Sequence, residues 1–289
     1  MKIALLGTEN SHAWEFSKII ADNPEKYKDV EIVGLYGEDE AANIKIVDAG
    51  YASYIAKSSD EFLGKVDAVM VTSRHGDNHY KIALPYIKAG IPCFIDKPFT
   101  VDLKKGEELI MLAKENNVPL CGGSTLKFME GLKEQREIIE KFGALGGEIA
   151  APINMVNDYG NFFFYSQHLV EIMLTVYGND IKSVMAYCPD ESKNRLTFIA
   201  NYGDFDVTGH YIDRPHYVST LYYNEDVIHS ECVCGRSDIN TLFPFELDEF
   251  LKMVKTGKMT CSYERLLLPV KVINAIYNSY TSKKVIEIK

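Results

Sequence analysis

The sequence predicts an α/β domain with a doubly wound parallel sheet, followed by an α+β domain whose open sheet is mostly antiparallel. Apolar, β-branched runs such as Val66–Val71 and Ile91–Ile95 have no polar break, as expected of strands buried on both faces of a parallel sheet. Apolar residues at helical spacing separate such runs, which is the order of βαβ units. After Glu148, alternating runs joined by turns replace this pattern and predict antiparallel strands with helices on one face.

Composition limits the classes of function. The 289 residues suffice for one large or two modest domains, and 46% apolar with 25% charged residues is typical of a globular protein. A net charge of −10 argues against a nucleic-acid partner, and no apolar run reaches the ~20 residues that span a membrane. The N-terminus, Met1–Gly7, predicts a first strand rather than a signal peptide. Six scattered cysteines predict reduced thiols in a cytoplasmic protein.

Periodicity and turn residues predict the elements of each half. The first half is expected to contain strands Lys2–Leu6, Glu31–Tyr36, Tyr51–Ile55, Val66–Val71, Ile91–Ile95 and Val118–Cys121, with helices after Ser11 and over Asp39–Ala49, Ser58–Leu63, Tyr80–Ile87 and Val101–Asn117. The second half is expected to contain strands Ile149–Asp158, Lys182–Tyr187, Arg195–Tyr202, Phe205–Tyr211, Tyr217–Tyr223 and Val227–Val233, and helices Leu132–Phe142, Phe162–Tyr177, Pro244–Lys255 and Tyr263–Ser279.

The loop after the first strand resembles a phosphate-binding turn in position but not in glycine content. A dinucleotide-binding, Rossmann-like domain places G-x-G-x-x-G there, so that backbone N–H groups and a helix N-terminus receive the pyrophosphate. Gly7 keeps the first glycine, whereas Glu9 and His12 stand at the second and third. Ser11 is either a hydroxyl donor or the N-cap of the following helix. The candidate pyrophosphate contacts are Gly7, Thr8, Asn10, Ser11 and His12.

An acidic residue after the second strand predicts the form of the cofactor. In dinucleotide-binding domains a carboxylate at the end of the second strand binds the adenosine ribose and repels a 2′-phosphate. Gly37 stands where that carboxylate is usual, and Glu38 comes one position later, which favours NAD over NADP. The alternative is that Glu38, Asp39 and Glu40 form a solvated acidic helix start, favoured by the helix dipole.

A Lys-Pro motif ends the fifth predicted strand. Asp96, Lys97 and Pro98 follow an Ala-Gly-Ile-Pro turn and a buried strand. This stretch resembles the Glu-Lys-Pro motif of the glucose–fructose oxidoreductase / inositol dehydrogenase (Gfo/Idh/MocA) family. The resemblance implies an NAD(P)-dependent oxidoreductase that transfers a hydride between nicotinamide and a sugar-like or polyol substrate. It also implies that Lys97 contacts cofactor and substrate and that Asp96 lies beside the cofactor.

The loop after Val71 resembles the family's Thr-Pro-Asn-x-x-His pattern in part. Thr72 matches and is a further candidate cofactor contact, but the histidine, His79, comes seven residues later instead of five. His12, His75 and His79 lie on strand-end loops without the spacing of metal ligands, so no metal site is predicted.

The second half resembles the family around one histidine. The family pattern Asp-x-x-x-His-x-x-Asp is matched by His168 and Glu171, while Phe164 replaces the leading acid. The resemblance implies that His168 is the acid/base; the alternative is a core histidine at a helix N-terminus. Without the usual acid, His168 acts alone or through another partner, with Tyr165 and Asp158 the candidates by proximity in sequence.

The predicted domains are residues 1–123, which bind the dinucleotide, and residues 124–289, which bind the substrate and form a homo-oligomer, a dimer or tetramer. Lys127 stands where the family often has Arg-Phe and either faces the substrate or is a solvated lysine. The predicted catalytic residues are Lys97 and His168, and the predicted substrate contacts are Lys97, Lys127, Tyr165 and His168.

Two other functions remain open on the sequence alone. The altered glycine loop and Phe164 are compatible with a ligand-binding or regulatory protein that has lost catalysis. The third function is non-redox use of bound NAD in a glycosidase-like reaction, as in some members of the family.

Overall fold

The structure is a computed structural model that describes residues 1–213, 216–223 and 229–288. It divides into two compact units. The first unit comprises Met1–Gly123 and Phe243–Leu267, and the second comprises Ser124–Leu242 and Leu268–Lys289. The chain therefore leaves the first unit after Gly123 and returns to it near the C-terminus.

The first unit contains a parallel sheet in the order β2-β1-β3-β4-β5. Its strands are β1 (Lys2–Leu6), β2 (Glu31–Tyr36), β3 (Ala68–Val71), β4 (Cys93–Asp96) and β5 (Leu120–Gly123). Its helices before the exit are α1 (Ser11–Asp22), α2 (Glu40–Asp48), α3 (Gly76–Lys88) and α4 (Leu103–Glu115). β3 and β4 are buried along their whole length, as the unbroken apolar runs predict.

The second unit contains a seven-stranded sheet in the order β11-β10-β6-β9-β8-β7-β12, in which only β6 and β9 are parallel among the described pairs. Its strands are β6 (Gly146–Pro152), β7 (Ser183–Tyr187), β8 (Leu196–Asn201), β9 (Asp206–Ile212), β10 (His216–Tyr222), β11 (His229–Gly235) and β12 (Ile286–Glu287). Its helices are α5 (Leu132–Phe142) and α6 (Phe163–Tyr177), with 3₁₀ turns at Thr125–Phe128, Glu191–Lys193 and Arg236–Thr241. The predicted fold class is confirmed for both sheets.

Two helices close the chain. α7 (Phe243–Thr256) packs against α1 and β5 and so belongs to the first unit. α8 (Tyr263–Ser282) begins in the first unit and ends in the second. In the part of the chain that the structure describes, no helix combines the length and apolar character needed to cross a bilayer.

Three predicted elements differ most from the structure. Tyr51–Ile55 is not a strand, because Ile55 pairs with Leu35 in a single bridge and no ladder extends from it. Ser58–Leu63 forms turns instead of a helix. The strand predicted over Ile149–Asp158 is β6, which begins earlier and ends at Pro152. The predicted turn at 224–226 and the start of the strand predicted over Val227–Val233 lie outside the described residues.

The sheet of the second unit has one buried and one exposed face. In β8, Leu196, Phe198 and Ala200 are buried, while Thr197 and Ile199 between them are exposed. Because paired residues of neighbouring strands point to the same side, the exposed positions form continuous rows across the sheet. The exposed large apolar side chains on these rows are Met185, Tyr187, Ile199, Tyr222 and Val233.

Candidate functional site

Gly7 allows a close approach between the loops that follow β1 and β3. Its φ is +100°, and a Cβ at this position would lie 2.3 Å from the backbone nitrogen of Ser73. Thr72 Oγ1 donates a 2.6 Å hydrogen bond to the carbonyl oxygen of Gly7. Only glycine satisfies both the conformation and the space, so the one glycine kept from the phosphate-binding pattern has a local structural reason.

Glu9 and Asn10 have roles that the sequence did not indicate. The Glu9 carboxylate accepts a 2.9 Å hydrogen bond from the backbone N–H of Arg74, so one carboxylate oxygen is engaged by the loop after β3. Asn10 is the N-cap of α1, accepting a 2.8 Å bond from the N–H of Ser11. The alternative that Ser11 caps this helix is therefore wrong: Ser11 is the first helical residue, and its side chain is exposed.

His12 lies in a buried cluster of charges. Its Nδ1 is 3.1 Å from Asp96 Oδ2, and its Nε2 is 3.6 Å from Glu246 Oε2. Burial by itself lowers the pKa of His12, but the two carboxylates outweigh it and raise the pKa to about 9. The ring is therefore an imidazolium at neutral pH, held between the end of β4 and α7.

Asp96 connects this cluster to the Lys-Pro motif. Its Oδ1 accepts a 2.6 Å hydrogen bond from the backbone N–H of Lys97, and its Oδ2 accepts a 2.7 Å bond from Asn10 Nδ2. Burial raises the pKa of Asp96, but His12 and Lys97 overcome it and bring the pKa to about 2. Lys97 is itself only 5% exposed. A buried, ionised Asp96 thus fixes the backbone that carries the candidate catalytic lysine.

The other two histidines of the first unit also hold loops. His79 is fully buried, and its ring nitrogens lie 2.7 Å from the carbonyl oxygen of Pro98 and 2.8 Å from that of Ser73. It therefore joins the loops after β3 and β4. His75 is the N-cap of α3, where its Nδ1 accepts a 3.2 Å bond from the N–H of Asp77.

The packing at the end of β2 explains why position 37 is a glycine and not the acidic residue that is usual there. A Cβ at Gly37 would lie 2.0 Å from Thr8 Oγ1, which donates a 2.6 Å hydrogen bond to Asn43 Oδ1. Thr8 is thereby engaged within the protein. The carboxylate of Glu38, the next residue, is exposed and lies 3.5 Å from Lys81 Nζ.

His168 contacts one predicted residue of the second unit, Tyr165, and two residues that the sequence did not indicate. Its Nδ1 lies 2.7 Å from Ser124 Oγ, and the rings of Tyr165 and Tyr217 are centred 5.4 and 5.6 Å away. Lys127 places its Nζ 5.0 Å from the ring centre of Phe128. Ser124 therefore occupies the place that the sequence analysis considered for Tyr165 or Asp158.

Phe164, at the position of the missing acid, packs against aromatic rings. Its ring is centred 4.8 Å from that of Tyr165 and 5.2 Å from that of Tyr159. The trailing acid, Glu171, is buried and accepts a 3.4 Å hydrogen bond from Gln167 Nε2.

Sequence reasoning missed three residues of these clusters: Glu246, Ser73 and Ser124. Glu246 is fully buried on α7, more than two hundred positions from His12 in the chain. No local pattern links residues so far apart, and a glutamate in a helix is ordinarily exposed. Ser124 follows two glycines, where a serine is expected as a turn residue.

Comparisons with known proteins agree with this geometry. Residues 1–123 match the family model described as GFO_IDH_MocA, an oxidoreductase family with an NAD-binding Rossmann fold. UDP-N-acetylglucosamine 3-dehydrogenase of Acidithiobacillus ferrooxidans is 36% identical over 66 residues, which are 23% of this chain and 21% of that protein. An uncharacterised oxidoreductase of Streptococcus pneumoniae is 26% identical over 45% of this chain and 35% of that protein. The chain thus aligns with about a third or less of the length of these relatives.

Solved structures match the whole chain at low sequence identity. GenD2 from gentamicin A biosynthesis, in complex with NAD, has a TM-score of 0.85 at 16% identity and covers all of this chain and 96% of its own. Scyllo-inositol dehydrogenase from Lactobacillus casei, with NAD(H) and scyllo-inositol, has a TM-score of 0.83 at 13% identity, covering 100% and 99%. These likenesses establish the fold of both units. The match over residues 1–123 confirms the predicted resemblance to the Gfo/Idh/MocA oxidoreductases for that part of the chain, which corresponds to the family's NAD-binding Rossmann domain.

Proposed function

We propose that this protein is an NAD-dependent oxidoreductase that acts on a hydroxyl group of a sugar-like or polyol substrate. The observation that carries the proposal is a buried lysine, Lys97, at the carboxyl end of β4 in an NAD-binding domain. In parallel α/β sheets, ligands bind outside the carboxyl ends of the strands. Asp96 fixes the backbone of Lys97, and the lysine side chain is itself buried.

The chain's own atoms fit a dinucleotide at this edge of the sheet. Gly7 keeps the turn after β1 close to the backbone of Ser73, and α1 presents its N-terminus directly after that turn. Among the described residues, Ser73 Oγ and Glu9 Oε2 are buried without a hydrogen-bond partner, and a bound ligand would satisfy such groups. When bound, NAD supplies the hydride acceptor. Glu38 would accept hydrogen bonds from the adenosine ribose, and Thr72 would support the turn at Gly7.

Each candidate catalytic residue has one proposed task. Lys97 would donate a hydrogen bond to the reacting oxygen and stabilise the negative charge that develops on it. His168 would move the proton of the substrate hydroxyl, because imidazole exchanges protons near neutral pH. Tyr165 and Lys127 would orient the remaining substrate hydroxyls.

The substrate class is drawn from the relatives. Scyllo-inositol is the polyol bound in one structure with the same fold, and a sugar nucleotide is named for the enzyme that shares a segment with this chain. Both carry secondary hydroxyl groups on a six-membered ring. We therefore propose a cyclic polyol or a sugar as the substrate.

The proposal also covers assembly and location. The exposed apolar rows of the second sheet suit a homo-oligomer, a dimer or tetramer, that covers them. All six cysteines are free thiols, which suits a cytoplasmic protein.

Calorimetric titration with NAD and NADP, followed by a turnover assay, tests the function. NAD should bind more tightly than NADP, and at least one of myo-inositol, scyllo-inositol and UDP-N-acetylglucosamine should reduce NAD. Absence of binding by either dinucleotide would overturn the proposal. NAD binding without turnover, together with release of a sugar from a glycoside, would indicate the non-redox reaction instead.

A further inference from the structure

Ser124 is the hydrogen-bond partner of His168, and its geometry assigns the hydrogen between them. The hydroxyl oxygen lies 2.7 Å from His168 Nδ1 and accepts a 3.2 Å hydrogen bond from the backbone N–H of Leu126. Both residues lie within the second unit, and Ser124 is fully buried. The contact is therefore shielded from water, which would otherwise compete for the hydroxyl.

The hydroxyl has one hydrogen to donate. One lone pair of Ser124 Oγ is occupied by the Leu126 N–H, and among the described residues His168 Nδ1 is the acceptor within reach of the O–H. A buried hydroxyl that does not donate loses a hydrogen bond at a cost. The arrangement therefore favours a Ser124 O–H that donates to Nδ1 and a neutral His168 ring that carries its hydrogen on Nε2.

We propose that Ser124 is the positioning residue that sets the tautomer of His168, in the place of the acid expected at position 164. This inference rests on the proton-transfer role proposed for His168. An aspartate accepts only, so it would hold the hydrogen on Nδ1 and leave Nε2 as a base. A serine donates instead, so the resting ring carries its hydrogen on Nε2, which would donate to a substrate oxygen.

The Ser124 hydroxyl can also accept a hydrogen bond from His168 Nδ1–H, which reverses the direction of the bond. To accept a proton from a substrate hydroxyl, the ring must carry its hydrogen on Nδ1 and leave the Nε2 lone pair available. Ser124 must then accept from Nδ1–H while its own O–H leaves its partner, which costs one buried hydrogen bond. The resting state is therefore set for hydrogen-bond donation to a substrate carbonyl, as in reduction, and oxidation requires this reversal first.

Nitrogen NMR of protein labelled with ¹⁵N-histidine tests the tautomer without any turnover. The chain has seven histidines, and a His168→Gln variant assigns the signal. At about pH 8, where an unperturbed imidazole is neutral, His168 should carry its hydrogen on Nε2, with Nδ1 at the shift of a hydrogen-bonded acceptor. Ser124→Ala should move the Nδ1 resonance toward that of an unbonded nitrogen, and Ser124→Thr should restore it.

Ser279→Ala is the matched control. Ser279 is an equally buried serine of the second unit, and its hydroxyl bonds to the backbone at Ala186 and Lys284. This variant should leave the His168 signals unchanged. If Ser124→Ala does not fold, Phe164→Asp serves: a carboxylate one turn earlier on α6 should move the hydrogen to Nδ1.

Two results would overturn the inference: a wild-type ring with its hydrogen on Nδ1, or an Nδ1 resonance that Ser124→Ala leaves in place. Neither depends on whether the protein oxidises a polyol. Failure of the proposed function would appear in the turnover assay, while the NMR result would still report the role of Ser124.

Discussion

His12 carries its charge inside the first unit because two carboxylates compensate for its burial. The third-glycine position of a phosphate-binding loop led us to expect a cofactor contact. The structure places the ring between Asp96 and Glu246, with the centres of the His12 and Phe243 rings 4.7 Å apart. This residue therefore joins α1, β4 and α7 by electrostatics, and its contribution to stability must depend on pH.

His12 should make the first unit less stable as pH rises. Its folded pKa, about 9, lies above the ordinary 6.5, so its stabilisation is complete below about pH 6.5 and is lost as pH rises through 9. The linked free energy is on the order of 3 kcal/mol. Urea unfolding of wild type at pH 6 and pH 9.5 should show this loss, and a His12→Gln variant should lack it. His210→Gln, which removes a partly exposed histidine on β9, is the control. A His12→Gln variant that loses as much unfolding free energy between pH 6 and pH 9.5 as the wild type would contradict the raised pKa of His12.

Asp96 should make the first unit less stable as pH falls, whereas His12 does so as pH rises. Its folded pKa, about 2, lies below the ordinary 3.8, so its stabilisation is present above about pH 4 and is lost as pH falls through 2. Asp96→Asn should be destabilised by roughly 3–5 kcal/mol at neutral pH, because it leaves His12 with one fewer compensating charge. Urea unfolding at neutral pH measures this loss. Asp67→Asn removes a carboxylate that bonds to the backbone N–H of Lys2 in an exposed setting, and it should cost much less. Equal losses of unfolding free energy in the two variants would show that the buried cluster stabilises the protein no more than an exposed carboxylate does.

Glu38 should set the preference between NAD and NADP. Its carboxylate repels a 2′-phosphate, and Lys81, 3.5 Å away, would attract one once the carboxylate is removed. Glu38→Ser should therefore lower the ratio of NADP to NAD dissociation constants by roughly tenfold, a change of about 1.4 kcal/mol. Calorimetry measures both constants. Glu40→Ser, at the exposed start of α2, is the control, and an unchanged ratio in Glu38→Ser would favour the solvated helix start as the role of this residue.

At the scale of elements, strands and helices followed from local pattern, whereas their assembly did not. β1 and β2 have the predicted bounds because their apolar runs are bounded by turn residues on both sides. Tyr51–Ile55 has the composition of a strand, but its backbone meets β2 at one residue only. Strand formation requires a partner in register, and composition alone does not supply that information.

The return of α7 to the first unit is a second feature that the sequence did not indicate. The helix itself was predicted from its apolar stripe. Such a stripe predicts that one face is buried, but it does not indicate which surface the face packs against. Its partners are α1 and β5, and Glu246 adds a charge to the cluster at His12. The same argument applies to Ser124, whose partner His168 is forty-four positions away. The resemblance to the family pointed to both candidate catalytic residues but to neither of these supporting side chains.

At the scale of the whole molecule, the exposed face of the second sheet predicts self-association. Ile199 is 47% exposed and Met185 is 41% exposed, and the two are paired across β7 and β8. Light scattering at micromolar concentration should show a dimer or tetramer, and Ile199→Lys should shift it toward monomer because it places a charge within an apolar contact. Ile44→Lys, which changes an exposed isoleucine of α2, should leave the assembly intact. A wild-type monomer would refute the proposed oligomer.

The turnover of a Lys97→Ala variant tests the central claim most directly. Loss of one preorganised donor should lower kcat by roughly 10²–10³-fold, while the calorimetric dissociation constant of NAD changes far less. Lys104→Ala, which removes an exposed lysine from α4, should keep the wild-type rate with the same polyol or sugar. A Lys97→Ala protein that binds NAD and turns over at the wild-type rate would contradict the account, because the reaction would then not depend on the lysine that Asp96 holds at the end of β4.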